Sequence, residues 1–356
     1  MNEPRRASIV GTGLIGASVA LALRGQGWIV SGTDTDESRA DEALAAGVID
    51  AIGLDADADL VVVAVPVSSV SVAASEALRV CPRATVTDVG SVKAPIVAAV
   101  GDARFVGGHP MAGSEQDGLK GADANLFNGA TWVLTPTDET DTSRYAALRA
   151  AISSIGADVV ELAPARHDAL VALVSHVPHL TAATLMGIAA SQAEEHSALL
   201  RLAAGGFRDM TRIAAGHPAI WPDICAENRD AILEGLDALT DALAAVRVAV
   251  ADGDRGGLLE RLEIARTARI GLPTGVAAVE ALVDVRVPVL DRPGVLAEVT
   301  TLAADLDVNI FNLDMAHSVE GDRGVLIVTI DALASERVCE ALTARGYKPS
   351  ASPVGR

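Results

Sequence analysis

Short runs of consecutive apolar residues, separated by alanine-rich helical stretches, dominate the first 165 residues. Most runs lack the alternation of a half-buried strand, as expected where helices cover both faces of a sheet. The pattern therefore predicts a Rossmann-like, doubly wound α/β domain over residues 1–165. The predicted strands are Ala7–Val10, Trp28–Thr33, Leu60–Val65, Ala84–Asp88, Arg104–Gly107, Thr131–Thr135 and Val159–Leu162.

The apolar periodicity becomes helical between residues 166 and 280, where no convincing strand pattern occurs. Proline and glycine positions, among them Pro178, punctuate the repeats. This part is predicted to be an all-helical second domain. Its predicted helices are Ala165–Gln192, Ser197–Leu202, Ile220–Asp252 and Gly257–Ile270.

Residues 283–356 change character again, because "VDVRVPVL" (283–290) alternates with period two, as a half-buried strand does. A helix over Val295–Leu306, strands over Val308–His317 and Val325–Ile330, a helix over Ser335–Arg345 and a last short strand follow. The order β-α-β-β-α-β predicts a ferredoxin-like α+β third domain.

The chain has 356 residues, a net charge of −19 and a pI of about 4.7. This charge argues against nucleic acid and anionic membranes as partners. Three cysteines without a CxxC pair argue against a disulfide framework or a zinc cluster and favour the cytoplasm. The N-terminus leaves no room for a signal peptide before the first strand. The most apolar window, 169–190, is interpreted as buried helices, since His176 and His179 at mid-depth would be costly in a bilayer.

A glycine motif, "SIVGTGLIGASVALAL", follows the first strand directly and opens a helix, the setting that dinucleotide binding requires. Asp34 ends the second strand, where a carboxylate would accept hydrogen bonds from ribose hydroxyls and repel a 2′-phosphate, which favours NAD over NADP. The alternative is a structural turn with a solvated aspartate. The predicted cofactor contacts are Gly11, Gly13, Leu14, Ile15, Gly16, Asp34, Val65 and Pro66.

Ligands of open α/β sheets sit beyond the carboxyl ends of the strands. Ser91, Lys93 and His109 follow such ends and are expected to gather on one rim. A neutral imidazole is available near neutral pH, so His109 is a candidate proton acceptor. The alternatives are a loop histidine that caps backbone, or a metal ligand, and for Ser91 a helix N-cap.

Two further groups in the helical segment are candidates for chemistry. The HxxH pair of His176 and His179 is compatible with metal, but no cysteine or carboxylate lies at suitable spacing, so no metal site is predicted. Arg208, Asp209 and Arg212 follow, and arginine pairs with carboxylates in a planar, bidentate way. Pairing with a structural acid is the alternative.

Five motifs, "GTGLIGAS", "DVGSVK", "HPMAGSE", "SHVPH" and "FRDMTRIA…PAIWPDI", occur in this order over residues 11–224. Together they resemble the prephenate dehydrogenase family of tyrosine biosynthesis, including its arogenate and cyclohexadienyl variants. The resemblance implies oxidation of the ring hydroxyl carbon of prephenate by NAD, with loss of CO2, to give 4-hydroxyphenylpyruvate. Arogenate, which would give tyrosine, is the alternative substrate.

The resemblance also implies roles for single residues. His109 would accept the hydroxyl proton, and Ser91 would hydrogen-bond to it. Arg212 would hold a substrate carboxylate and Glu115 would lie near the mouth of the cleft. The implied substrate contacts are His176, His179, Asp209, Arg212 and Glu115.

The tail resembles an ACT domain, an amino-acid-sensing module that commonly pairs side by side. The implied effector is tyrosine, with phenylalanine second, and the implied assembly is a homodimer. A module that only dimerises is the alternative. The implied regulatory contacts are Asp291, Arg292, Pro293, Gly294 and Asn309.

Two other functions compete with this interpretation. A β-hydroxy-acid dehydrogenase would commonly use a lysine in its helical domain, yet residues 166–280 contain no lysine. A non-catalytic nucleotide and amino-acid sensor is disfavoured by the intact set of Ser91, His109 and Arg212.

Overall fold

The computed structural model describes residues 4–113, 116, 118–195, 202–272, 282–290, 292, 294–317 and 323–353. The chain forms two compact units, Met1–Ala244 and Ala245–Arg356. The division into three domains at residues 165 and 280 stays a prediction.

An eight-stranded sheet forms the centre of the first unit. Its strands are β1 (Arg6–Val10), β2 (Ile29–Thr33), β3 (Ala51–Ile52), β4 (Leu60–Val63), β5 (Thr85–Asp88), β6 (Phe105–Pro110), β7 (Thr131–Thr135) and β8 (Asp158–Glu161). Their spatial order is β3-β2-β1-β4-β5-β6-β7-β8, with all neighbours parallel except β6 and β7. The order reverses between β1 and β4, so a crevice opens at their carboxyl ends. The prediction of a doubly wound domain is confirmed.

Both faces of the sheet are buried, which explains the unalternating apolar runs. In β4, Val62 belongs to one apolar cluster, while Val61 and Val63 belong to the other. Burying each such side chain stabilises the fold by about 1.5–3 kcal/mol. The helices of this unit's α/β part are α1 (Leu14–Gly25), α2 (Glu37–Ala45), α3 (Val70–Val80), α4 (Ala94–Val100) and α5 (Thr142–Ser154).

The described residues between β8 and residue 272 are helical, as predicted. The predicted helix Ser197–Leu202 lies, apart from Leu202, outside the described residues and stays a prediction. The helices that follow β8 are α6 (Pro164–Val171), α7 (Val177–Glu195), α8 (Gly205–Thr211), α9 (Trp221–Glu227) and α10 (Arg229–Ala251). A π-helical turn, Ala172–His176, joins α6 to α7 without a break, so Pro178 does not interrupt the run. Within the described ranges, Pro164–Ala193 is the one helical run that is long and apolar enough to cross a membrane. It nevertheless holds His167, Asp168 and His176 buried.

Strand β6 is longer than predicted, because it includes Gly108, His109 and Pro110 rather than ending at Gly107. A Cβ on Gly107 would lie 2.4 Å from the Thr135 hydroxyl oxygen, and one on Gly108 would lie 2.6 Å from the Asp88 carbonyl oxygen. The glycines therefore allow neighbouring strands to approach closely. His109 is held in a strand, not in a loop.

The second unit contains α11 (Arg255–Ile270) and a four-stranded antiparallel sheet with two helices. These are β9 (Leu282–Leu290), α12 (Val295–Asp305), β10 (Asn312–His317), β11 (Arg323–Asp331), α13 (Ser335–Ala344) and β12 (Ser350–Pro353). The strand order β10-β11-β9-β12 is that of the predicted ferredoxin-like unit. Strand β10 begins at Asn312 rather than Val308, after Asp307 has turned the chain with a φ of +52°.

Candidate active site

The turn between β1 and α1 is built for close backbone approach. Gly11 has a φ of +96°, and a Cβ there would lie 2.3 Å from the Ala64 carbonyl oxygen at the end of β4. A Cβ on Gly16 would lie 1.9 Å from the Gly11 carbonyl oxygen. Both positions therefore require glycine, one for the turn and one for the packing of helix on strand.

The remaining glycine of the motif, Gly13, lies where the phosphates of a dinucleotide would bind. Gly13 is the N-cap of α1 without a side-chain cap, and a Cβ there would meet nothing within 4 Å. The first amides of α1 consequently face an unfilled space suited to an anion. Leu14 and Ile15 are half-buried beside it, as is Val65 across the crevice, while Pro66 is exposed.

Asp34 closes the other side of this space. Its carboxylate accepts hydrogen bonds from the Thr12 backbone N–H at 2.9 Å and from the Thr12 hydroxyl at 3.2 Å. These bonds fix the carboxylate at the end of β2, where a ribose would lie. The glycine turn, the open helix N-terminus and the fixed acid together fit a dinucleotide.

His109 lies near the carboxyl end of the sheet and is buried, with 9% of its surface exposed. Its Nδ1 lies 2.9 Å from Nε2 of His167. The other nitrogen, Nε2, has no hydrogen-bond partner among the described residues. Within the same residues, Trp132 Nε1 is the one fully buried side-chain nitrogen or oxygen without a partner.

Sequence reasoning missed two members of this network. His167 is fully buried, and its Nδ1 lies 2.8 Å from a carboxylate oxygen of Asp168. Asp168 also accepts the backbone N–H groups of Lys93 and Ala94, both at 2.8 Å. It thereby caps the N-terminus of α4. The adjacent His-Asp pair in the first turns of α6 was the available sign.

Lys93 does not lie on the rim, contrary to the expectation from sequence. It is fully buried, and its Nζ pairs with Asp88 and donates to the Gly108 carbonyl oxygen at 2.9 Å. Burial lowers the pKa of Lys93, against the opposing effect of Asp88. The lysine therefore ties β5 to β6 immediately before His109.

Ser91 is half-buried and lies two residues before the N-cap of α4, which is Lys93. The alternative that Ser91 is the N-cap is therefore wrong. No hydrogen bond joins Ser91 to His109 in the described part of the chain, where His109 instead contacts His167. The role that resemblance gives to Ser91 stays a prediction.

His176 and His179 meet at one aromatic residue. The ring of Trp221 stacks on His179 with centroids 3.6 Å apart and meets His176 edge-on at 6.0 Å. Asn228 donates through Nδ2 to His176 Nδ1 at 3.2 Å and to the Asp168 carbonyl oxygen at 2.9 Å. His176 thus belongs to the same buried network as Asp168, while His179 is half-buried.

Arg208, Asp209 and Arg212 are exposed. The first two lie on α8, and Arg212 begins the 3-10 turn Arg212–Ala215. Gly216 is the residue after this turn, and a Cβ on it would lie 3.7 Å from Cε1 of His179. The arginine turn therefore ends beside His179.

Burial lowers the pKa of three histidines of the site, His109, His176 and His179. It holds the pKa of His109 well below its ordinary value of 6.5, with further lowering by the charges of Lys93, His167 and His176. Burial also lowers the pKa of His176 to about 4 and lowers that of His179. His109 is consequently a neutral imidazole near pH 7.

Comparison with known proteins identifies the family. The profile described as "Prephenate dehydrogenase, nucleotide-binding domain" matches residues 19–161, and "Prephenate dehydrogenase, dimerization domain" matches residues 163–264. The chain belongs to the prephenate dehydrogenase family. The resemblance predicted from the five motifs is thereby confirmed.

Individual members of the prephenate dehydrogenase family match over most of the chain. A prephenate dehydrogenase of Bacillus subtilis is 34% identical over 339 residues, 91% of each chain. A cyclohexadienyl dehydrogenase of Zymomonas mobilis is 34% identical over 75% of this chain and 96% of its own. A prephenate dehydrogenase of Aquifex aeolicus, solved with hydroxyphenyl propionate and NAD+, is 30% identical, with a TM-score of 0.70 over 75% of this chain and 98% of that one.

Several residues predicted to contact the substrate or a regulatory ligand are either outside the described residues or already paired. Glu115, Asp291 and Pro293 lie outside the described residues. Arg292 pairs with both carboxylate oxygens of Glu298, at 2.8 and 2.9 Å. Its guanidinium is thus already engaged.

Two further predicted contacts of the tail lie at turns. Gly294 caps α12 with a φ of +93°. Asn309 does not open a strand but is exposed in the turn before β10. Across the part of the chain that the structure describes, no group of three His, Cys, Asp or Glu side chains could hold a metal ion.

Proposed function

We propose that the chain catalyses the NAD-dependent oxidative decarboxylation of prephenate to 4-hydroxyphenylpyruvate. The observation that carries the proposal is His109, a neutral imidazole whose Nδ1 is fixed in a buried network while Nε2 has no hydrogen-bond partner among the described residues. A base in this state near neutral pH suits the removal of a hydroxyl proton. The family and its relative solved with NAD+ support the same reaction.

The cofactor site fits NAD rather than NADP. NAD, when bound, supplies the acceptor for the hydride that leaves the ring carbon of the substrate. Gly11, Gly13 and the amides at the start of α1 would hold its pyrophosphate, and Asp34 would accept from its ribose hydroxyls. A 2′-phosphate would meet the Asp34 carboxylate, so NADP is the poorer fit.

In the proposed reaction, Nε2 of His109 takes the proton of the ring hydroxyl as hydride leaves. Loss of CO2 then makes the ring aromatic. Ser91, two residues before the cap of α4, is proposed to orient the hydroxyl. His179 and the ring of Trp221 stacked on it would line the substrate site with His176 and Asp209.

Arg212 is proposed to hold a substrate carboxylate. Its turn ends beside His179, and guanidinium binds carboxylate through two parallel hydrogen bonds. Glu115 is proposed to lie at the mouth of the same cleft. The proposed arrangement places the carboxylate contact in the helical segment and the base in the sheet.

Arg212→Gln is expected to raise the KM for prephenate by about 10- to 100-fold, because a charged hydrogen-bonding partner contributes about 1.5–3 kcal/mol. The KM for NAD should change by no more than about twofold. Initial rates of NADH formation at varied concentrations of each substrate give both constants. Arg208→Gln, one helical turn earlier, is the matched control. An effect confined to NAD would contradict the proposed contact.

The activity itself is tested by NADH formation on addition of prephenate, arogenate or a simple β-hydroxy acid. Prephenate with NAD is expected to give the highest kcat/KM, and NADP a lower one. A higher kcat/KM for arogenate would favour the alternative substrate. Turnover of the β-hydroxy acid alone, or of none, would contradict the proposal. Tyrosine is included in a parallel series.

The C-terminal ferredoxin-like unit is proposed to be an ACT module that senses tyrosine. Its strand order and the open N-terminus of α12 at Gly294 support this. Asp291, Pro293 and Asn309 are proposed to complete the ligand site, with Arg292 released from Glu298. Tyrosine is expected to lower the rate in the assay above, and phenylalanine to do so less.

A cytoplasmic homodimer is the proposed form. The second matched profile is described as a dimerization domain. Helices α7 and α10 expose large apolar side chains that a second copy would cover. These are Ile188 on α7 and Leu233 and Leu243 on α10, with Leu173 and Val174 in the π turn.

A further inference from the structure

Two polar side chains, His167 and Asp168, lie in series behind the proposed base, His109. Nδ1 of His109 meets Nε2 of His167 at 2.9 Å, and Nδ1 of His167 meets Oδ1 of Asp168 at 2.8 Å. His167 is 0% exposed and Asp168 is 5% exposed. The series runs from β6 to α6, between residues 58 positions apart in the chain.

The series fixes which nitrogen carries each proton. A carboxylate can only accept hydrogen bonds, and two backbone N–H groups already donate to Asp168. Nδ1 of His167 must therefore be the protonated nitrogen. A neutral imidazole has one N–H, so Nε2 of His167 bears a lone pair. The partner at 2.9 Å, Nδ1 of His109, must then donate, which leaves the lone pair of His109 on Nε2.

We propose that Asp168 and His167 are positioning residues that hold the lone pair of His109 on Nε2 and stabilise the imidazolium formed there. The proposal rests on the function proposed above. In the step, the hydroxyl O–H bond breaks and an N–H bond forms at Nε2. His109 keeps its proton on Nδ1, shared with the lone pair of His167, and no other bond changes in the network.

The need for such a series follows from the surroundings of His109. Lys93, which precedes α4, and His176, in the π turn, disfavour a positive charge on His109, as burial does and as a charge on His167 itself would. Asp88 on β5 is engaged by Lys93. Asp168 is the carboxylate connected to the histidine through hydrogen bonds, by way of His167. A neutral His167, held so by Asp168, presents a lone pair rather than a charge to Nδ1 of His109.

A purely structural role for Asp168 is the competing explanation, since the same carboxylate caps α4. Capping accounts for the bonds to the Lys93 and Ala94 amides. Capping of α4 does not explain why Asp168 also contacts Nδ1 of His167, whose Nε2 in turn contacts the proposed base, His109. The two explanations differ in what an amide at position 168 would do.

Asp168→Asn is expected to change the tautomer of both His167 and His109, that is, to move the ring proton of each from Nδ1 to Nε2. Oδ1 of Asp168 accepts from the Lys93 amide and from Nδ1 of His167, whereas Oδ2 accepts from the Ala94 amide. With the asparagine oxygen on the Ala94 amide, the NH2 group takes the place of Oδ1, gives up the Lys93 amide and forces Nδ1 of His167 to accept. The proton of His167 then moves to Nε2 and that of His109 to Nε2, where it blocks the base. We expect kcat to fall by about 10²- to 10⁴-fold, as when an aspartate that holds a histidine tautomer becomes an amide. The KM for NAD should hold.

The tautomer itself can be measured without any substrate. Nitrogen-15 NMR of histidine-labelled protein should show His109 protonated on Nδ1 in the parent chain and on Nε2 in Asp168→Asn. Asp141→Asn is the matched control, because Asp141 caps α5 through the Ser143 and Arg144 amides and contacts no histidine. It should change neither kcat nor the histidine signals.

Two variants of His167 test the same series if Asp168→Asn folds poorly. In His167→Gln the side-chain oxygen can accept from His109 and the NH2 can donate to Asp168, so much of kcat should return relative to His167→Leu. Because the series stabilises the imidazolium, its loss in His167→Leu should lower the pKa of His109 and move the acid-side fall of kcat to lower pH. His167→Gln should keep the parent profile.

The outcomes separate this proposal from the proposed function. If the parent chain fails to oxidise prephenate but the tautomers invert as described, the function is wrong and the positioning holds. A parent spectrum with His109 protonated on Nε2, or with His167 doubly protonated, overturns the positioning. So does an Asp168→Asn variant whose kcat falls while the tautomers stay unchanged, because that result shows capping alone.

Discussion

His109→Asn is expected to lower kcat for prephenate oxidation by about 10³-fold, within the 10²- to 10⁴-fold contribution typical of a general base. This loss corresponds to about 4 kcal/mol of barrier. The asparagine NH2 can still donate to Nε2 of His167, so the buried network stays paired. What is lost is the lone pair on Nε2, which has no other partner in the described part of the chain. Rates of NADH formation measure the change.

Binding of NAD separates loss of the base from loss of the fold in this variant. The Kd for NAD, measured by calorimetry, should stay within about twofold of the parent value, because the glycine turn and Asp34 are untouched. His217→Asn is the control, since His217 is exposed and only accepts from the Ala219 amide. Parent-like turnover in His109→Asn would refute the assignment of the base.

Lys93→Met is expected to destabilise the first unit by about 3–5 kcal/mol, the cost of leaving a buried charge without its partner. Asp88 would keep only the Gly90 and Gly108 amides, at 2.8 and 3.0 Å. The Gly108 carbonyl oxygen would also lose its donor. Urea unfolding measures the change in the free energy of unfolding. The transition of the first unit is identified as the one that added NAD shifts to higher urea concentration.

A second substitution distinguishes the lost ion pair from lost packing. Asp88→Asn combined with Lys93→Met removes the orphaned charge, so the double variant should be more stable than Lys93→Met alone. Lys120→Met, at an exposed lysine, should change stability by no more than about 0.5 kcal/mol. Equal stability of the single and double variants would show that packing, not charge, sets the cost.

The cofactor crevice could be predicted from sequence because its chemistry is local. Three glycines within six residues, placed after an apolar run, determine a turn whose geometry depends on few other positions. The long apolar runs were equally informative, since burial on both faces of a sheet leaves a pattern in each strand by itself. The all-helical segment and the ferredoxin-like order followed from periodicity in the same way.

The network behind His109 could not be predicted, because its contacts are not local. Asp168 meets the amides of residues 74 and 75 positions earlier, and nothing near it in sequence indicates that α4 lacks a cap of its own. Lys93 was expected on the rim because it follows the carboxyl end of a predicted strand. Its burial depends on the ion pair with Asp88, which the sequence pattern does not reveal. The extent of β6 depended on pairing with β7, which lies beyond the loop.

The π turn between α6 and α7 sets the phase of the whole helical run. His167 and His176 are nine positions apart, and in an uninterrupted α-helix that spacing puts side chains on roughly opposite sides. The π-helical turn contains one more residue than an α-helical turn, so the side chains that follow it are rotated about the helix axis toward the side of His167. Both histidines are thereby buried toward Asp168 and Asn228. Removal of one residue from this turn would therefore rotate His176 away from Asn228 while leaving His167 beside Asp168.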